Sequence, residues 1–104
     1  MTQREIDAIR KSAQGEQCTL NIAGICNYDS STTVYAHLPD GTGGMGLKAG
    51  GELSGCYACS ACHDAIDGRK WRDWEPGDQA FYMRRAHCRT LARMFELGIL
   101  RVAA

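Results

Sequence analysis

A chain of 104 residues with twelve Lys and Arg against twelve Asp and Glu reads as one domain over 1–104, whose small core would gain from a metal or disulfide staple. The lack of any apolar run near the roughly 20 residues of a membrane span, and the charged start MTQREIDAIRKSAQ, argue against a membrane partner or signal peptide and for a cytoplasmic protein. There six cysteines point to metal ligation rather than disulfides. The zero net charge hides a split, with four Lys/Arg against eight Asp/Glu in residues 1–68 and eight against four in residues 69–101, so one face can meet phosphate despite a neutral total.

In chain order, residues 4–13 read as a short helix with Ile6 and Ile9 on one side, stopped by Gly15. Residues 18–22 (CTLNI) alternate as a strand does, and Ala23-Gly24 reads as a turn, so Cys18 and Cys26 flank a tight loop. Residues 32–37 (TTVYAH), rich in β-branched and aromatic side chains, predict a strand with His37 at its end. The glycine-rich 38–51 predicts a long loop, and a loop of that length in a small domain is usually functional or mobile. It lacks the strand–GxxxxGK[ST]–helix pattern of a nucleotide-binding loop. A short strand is expected over 53–58, then a helix over 61–69 with Ser60 as its N-cap.

Trp71 and Trp74 lie in a connector and read as packing residues rather than base-stacking ones. Asp78 is the expected cap of a long helix over about 78–97, closed by Gly98. Its apolar face reads as Phe81, Cys88, Leu91, Ala92 and Phe95, and Arg85, Arg89 and Arg93 repeat along another. The fold class is therefore α+β, with a core over about 16–70 and an added C-terminal helix.

The stretch CYACSACHDAID (56–67) carries the chemistry. Cys59-Ser60-Ala61-Cys62-His63 matches the haem-attachment pattern C-x-x-C-H, with Met83, His87 or Met94 as sixth ligands, and a CxxC at a helix start also suits a redox dithiol. Neither uses Cys18 and Cys26. Zinc uses both pairs: Cys18, Cys26, Cys59 and Cys62 suit a closed tetrahedral structural site. Cys56, three residues from Cys59, is a competing ligand, and Cys88 reads as a small buried hydrophobe. His63 and Asp67, four apart on a helix, share a face and can hold a second divalent ion with positions open for water and phosphate. The plainer reading of that pair is a polar contact, with Asp67 capping the helix or pairing with Arg69 or Arg72.

The order of a strand ending in Ala36-His37, a glycine-rich loop, a second strand, Cys59-x-x-Cys62-His63 and a helix carrying Asp67 resembles the HNH (ββα-metal) endonucleases, in their zinc-knuckle branch. Over roughly residues 10–70 it is similar to the small YbcO-like putative nucleases of lambdoid prophages. The resemblance implies a metal-dependent DNA endonuclease, with RNA the other candidate substrate and no small-molecule cofactor. His37 would be the general base and His63, with Asp67, the holder of a catalytic Mg²⁺ or Mn²⁺. Lys48, Arg69, Arg85, Arg89 and Arg93 would meet phosphates. Two positions depart from the family pattern: Ala36 stands where a metal ligand is common, and Ser54 falls near the middle Asn. The alternative is a non-catalytic zinc module that recognises nucleic acid or protein.

Overall fold

The computed structural model describes residues 1–40, 51–68 and 75–103. The expected loop with Lys48, and Arg69, Trp71 and Trp74, lie mostly or wholly outside those residues. The described chain forms α1 (Gln3–Ser12), β1 (Val34–His37), β2 (Gly55–Ala58), α2 (Ser60–Ile66) and α3 (Pro76–Glu96), with short 3₁₀ turns at Ser30–Thr32 and Gly51–Leu53. This is a small α+β arrangement around one two-stranded antiparallel sheet.

The first helix starts where Thr2 and Glu5 cap each other: the Glu5 amide donates to Thr2 Oγ1 at 3.1 Å and the Thr2 amide to Glu5 Oε1 at 2.7 Å. Two of the four orphan amides of a helix start are thereby satisfied. Ile9 and the following Ala13 are its buried contacts.

β1 and β2 pair from Val34↔Ala58 to His37↔Gly55. Strand alternation sends Ala36, Cys56 and Ala58 to one face, where they pack with Leu20, Ile22, Cys62, Ala65 and Ile66. Tyr35 and Tyr57 face the other way and pack with Ile9, Ala13 and Met94. The hairpin is thus covered on both sides, by α2 and the cysteine loop on one and by α1 on the other. Gly55 is required here because the Tyr35 ring lies directly over it, where any β-carbon would collide.

The third helix lies along the outer edge of β2 and replaces a missing strand with side chains. His87 Nδ1 donates to the Gly55 carbonyl at 3.0 Å, since a carbonyl can only accept, and the Tyr57 amide donates to Thr90 Oγ1 at 3.0 Å. An exposed sheet edge, which invites unwanted pairing, is covered in this way.

Several sequence expectations are corrected. Residues 18–22 do not form a strand: Asn21 has φ +42°, outside the extended region a strand needs, and the Thr19 amide meets β2 at the Tyr57 carbonyl (2.8 Å). Cys59, not Ser60, caps α2, its Sγ accepting from the Cys62 amide. Glu75 stands at the cap of α3, with proline in the first turn because its missing N–H is an orphan there anyway, and Asp78 sits inside that turn. Gly98, at φ +75°, closes α3 as expected, with the Ile99 amide on the Met94 carbonyl.

The buried face of α3 is Met83, Ala86, Thr90 and Met94; of the expected stripe, Leu91 is partly buried against the core. Phe81 and Phe95 are exposed, and so is Cys88. Hydrophobicity alone misplaced the stripe because the helix packs on a sheet edge that asks for a hydroxyl at position 90.

Candidate metal centre and candidate active site

The segment from Cys18 to Cys26 curls around its own ends. The Ile25 and Cys26 amides both donate to the Ile22 carbonyl, at 3.0 and 2.9 Å, and Gly24 takes φ +77°. Cys59 ends β2 and Cys62 lies one turn into α2. The four sulfurs of Cys18, Cys26, Cys59 and Cys62 lie within 4.8 Å of one another. Around a zinc ion with bonds of about 2.3 Å, tetrahedral sulfurs stand about 3.8 Å apart, and Cys26 and Cys59 are 3.9 Å apart.

Backbone amides already aim at two of the sulfurs, Asn21 at Cys18 and Cys62 at Cys59, both at 3.4 Å. The crowding separates the thiols' acidities. A hydrogen bond from Cys62 draws Cys18 down to about 5, and that same bond, with burial, pushes Cys62 upward. Burial pushes Cys26 up to about 11. The four cysteines form a donor set able to hold a structural metal such as zinc. Cys56 faces the core outside this set, its thiol pushed up to about 12 by burial, and Cys88 is solvent-exposed on α3.

His37 ends β1 with its side chain 44% exposed, and its Nε2 lies 3.3 Å from Glu52 Oε2. Glu52 is buried and is gripped from α1 by Arg10, at 2.7 Å to Oε1 and 3.2 Å to Oε2. The Arg10 hydrogen bonds, helped by His37, hold the Glu52 carboxyl below its ordinary value, so it is ionised at neutral pH. The Tyr35 hydroxyl donates to the Glu52 carbonyl at 2.6 Å, and the Tyr35 ring meets the His37 ring edge-on. Sequence reasoning missed Glu52. The available signal was a lone acid in the glycine-rich run between Asp40 and Asp64.

His63 and Asp67 meet one helical turn apart, at 3.3 Å between Nε2 and Oδ2, both partly exposed. The structure therefore forms two pairs, His37 with Glu52 and His63 with Asp67. His37 takes its contacts on the Tyr35 face of the hairpin, whereas α2 packs on the Ala36 face.

The arginines of α3 differ. Arg93 pairs with Glu16 and Glu96. Arg85 donates to the Leu20 and Asn21 carbonyls at 3.0 and 3.3 Å and stacks over Phe81 and Tyr82, which ties the cysteine loop to α3. Arg89 is exposed. No described helix is long and apolar enough to cross a membrane.

A paired hairpin between helices, joined to a four-cysteine centre and carrying two polar pairs, defines the class: a small α+β protein with a cysteine cluster able to hold a metal. The chain belongs to the family described as "Putative nuclease YbcO", whose model matches residues 7–99. It is 45% identical over 62 residues to "Putative nuclease YbcO" of Escherichia coli K12 and, to the same extent, to "Putative nuclease ybcO" of Enterobacteria phage 82. Each match covers 59% of this chain and 64% of the relative's length. A solved structure, "a putative bacteriophage protein from Escherichia coli str. K-12 substr. MG1655", superposes with a TM-score of 0.70 at 31% identity, covering 88% of this chain and all of that one.

Proposed function

We propose that this chain is a metal-dependent endonuclease of the HNH type that hydrolyses phosphodiester bonds in DNA, folded as one domain over 1–104. The observation that carries the reading is the His37–Glu52 pair: a half-exposed imidazole held by a buried, ionised carboxylate. An Nε2–H turned toward Glu52 leaves Nδ1 as the proton acceptor, the arrangement a general base needs. His37 then takes a proton from water as that water's oxygen bonds to phosphorus. The bond to the 3′-oxygen breaks, and that oxygen takes a proton from solvent water, leaving a 5′-phosphate and a 3′-hydroxyl. The reading requires His37 and the His63–Asp67 pair to act on one and the same phosphate.

One imidazole and one carboxylate, both partly exposed, fit a hard divalent ion that keeps several waters. His63 and Asp67 would hold that Mg²⁺ or Mn²⁺, which when bound supplies charge stabilisation at the phosphate. Zinc in the cysteine centre is structural in this reading. Lys48, Arg69, Arg85, Arg89 and Arg93 are its candidate phosphate contacts, and Arg89 fits best among those described because Arg85 and Arg93 already have protein partners.

The Arg10–Glu52–His37 chain also favours a second reading, a zinc module without catalysis, in which His37 only fastens α1 to the hairpin. Nicking of supercoiled plasmid by wild type and His37→Ala, with Mg²⁺ or Mn²⁺ and with neither, separates the two. The nuclease nicks only with metal and loses roughly 10²–10⁴-fold in rate without its base. Absence of nicking by the wild type with either metal favours the module.

A further inference from the structure

Beside the strand end that carries His37 lies a cleft of about 500 Å³ between the hairpin and α3, within the size range of small-molecule sites. Its position follows from the register. Leu38, which lines it, succeeds His37, and its amide donates to the carbonyl of Ser54, also a lining residue, at 2.9 Å. Leu53, Ala80 and Met83 add apolar wall, and Arg84 and His87 from α3 stand with Asp40 as its charged or titratable members.

His87 is oriented rather than loose. Its Nδ1–H is committed to the Gly55 carbonyl at 3.0 Å, so in the neutral ring Nε2 is left as an acceptor for a ligand hydroxyl or N–H. Arg84 differs from its neighbours on α3, because Arg85 and Arg93 spend their guanidinium groups on the cysteine loop and on Glu16 while Arg84 lines the cleft. An apolar wall opposite a cation and an oriented imidazole matches a ligand with one flat apolar part and one anionic part. Asp40 and Ser54 add acceptors of the kind an exocyclic amine seeks.

We propose that this cleft binds one nucleotide of the substrate strand, its base against Leu38, Leu53 and Met83, its phosphate on Arg84, and a sugar hydroxyl or base N–H donating to His87 Nε2. The occupant class rests on the nucleic-acid reading above. The cleft itself rests on its own geometry.

The test is binding without turnover. Each of the four deoxynucleoside 5′-monophosphates is titrated to millimolar concentrations, without added divalent metal, into wild type, His37→Ala, Arg84→Gln and Ala80→Trp, following the Met83 methyl and His87 ring signals by NMR. Ala80 is an exposed position on α3, so a tryptophan there fills the cleft without entering the core. Saturable shifts are expected in wild type and His37→Ala. Binding about tenfold weaker is expected in Arg84→Gln, as for a lost charge-assisted contact, and none in Ala80→Trp. No saturable shift with any nucleotide, or equal binding by all four proteins, overturns the proposal even if the plasmid is nicked. Saturable binding that Ala80→Trp removes upholds the cleft even if the plasmid is not.

Discussion

Glu52 Oε2 stands 3.3 Å from His37 Nε2, and the carboxylate that makes this contact is buried while the imidazole is half exposed. Burial fixes the carboxylate, Arg10 keeps it charged, and the imidazole inherits an orientation. Glu52 is thus a positioning residue for the proposed base. Partners that orient a functional imidazole are commonly worth roughly 10–100-fold, so Glu52→Gln is expected to lower nicking turnover by about that factor. Affinity for uncleaved DNA should stay within about twofold, since a role confined to the transition state leaves ground-state binding alone. Equal losses in binding and turnover would instead mark a general structural defect.

The same carboxylate makes stability depend on pH. Its acidity is raised first by the Arg10 hydrogen bond and then by His37, from an ordinary value of 4.5. A group whose folded pKa is depressed contributes stability above its unfolded value and loses that contribution as pH falls through the folded value. The denaturant midpoint should therefore decline below about pH 4.5. Asp29, lowered by its bonds to Ser31, and Glu5, lowered by Thr2, add to the same limb. In Glu52→Gln the acid slope should be shallower but still present. An unchanged slope would show that Glu52 does not carry it.

The sequence made some parts of this molecule legible because they rest on local chemistry. The paired cysteines, the closing Gly98, the short strand ending in His37 and the His63–Asp67 spacing all depend on residues within a few positions of each other. What stayed hidden depends on distant partners. Glu52 meets Arg10 across forty-two positions, and no periodicity announces that. Thr90 is buried in α3 because β2 offers it an unpaired amide, so an apolar stripe drawn through Phe81, Cys88 and Phe95 chose the wrong face. Residues 18–22 look like a strand until the need to turn Cys18 and Cys26 toward Cys59 and Cys62 is known.

The cysteine geometry sorts the six thiols into four whose sulfurs gather closely enough to hold a metal and two, Cys56 and Cys88, that stand outside that set. Freshly purified protein is expected to carry about one zinc per chain. Cys59→Ser should fall toward none and lose its cooperative melt, because a structural zinc site contributes folding energy directly. Cys88→Ser, on the exposed side of α3, should keep both. Cys56→Ala should keep its zinc while melting somewhat lower, since it opens a small void in the core. Elemental analysis beside thermal unfolding checks all three, and loss of zinc from Cys56→Ala would mean that the ligand set is misassigned.

Thr90 offers a test of the fold that is independent of activity. Its Oγ1 accepts the Tyr57 amide, its hydroxyl meets Thr19 Oγ1 at 2.8 Å, and the Thr19 hydroxyl donates to the Tyr57 carbonyl at 2.9 Å. The three bonds close a ring that caps one residue of β2 on both its polar groups. Thr90→Val keeps the shape but leaves the Tyr57 N–H buried without an acceptor, which costs about 1–3 kcal/mol. Thr90→Ser keeps the ring and loses one methyl, worth about 0.8 kcal/mol. Total stability alone separates these two narrowly, so the sharper measurement is hydrogen exchange at the Tyr57 amide. It should stay protected in the serine variant and, in the valine variant, exchange well ahead of the Ala36 amide, which lies in a hydrogen-bonded pair with Cys56. Equal protection in both would mean that β2 is held by its packing and that the helix side chains contribute little to the edge.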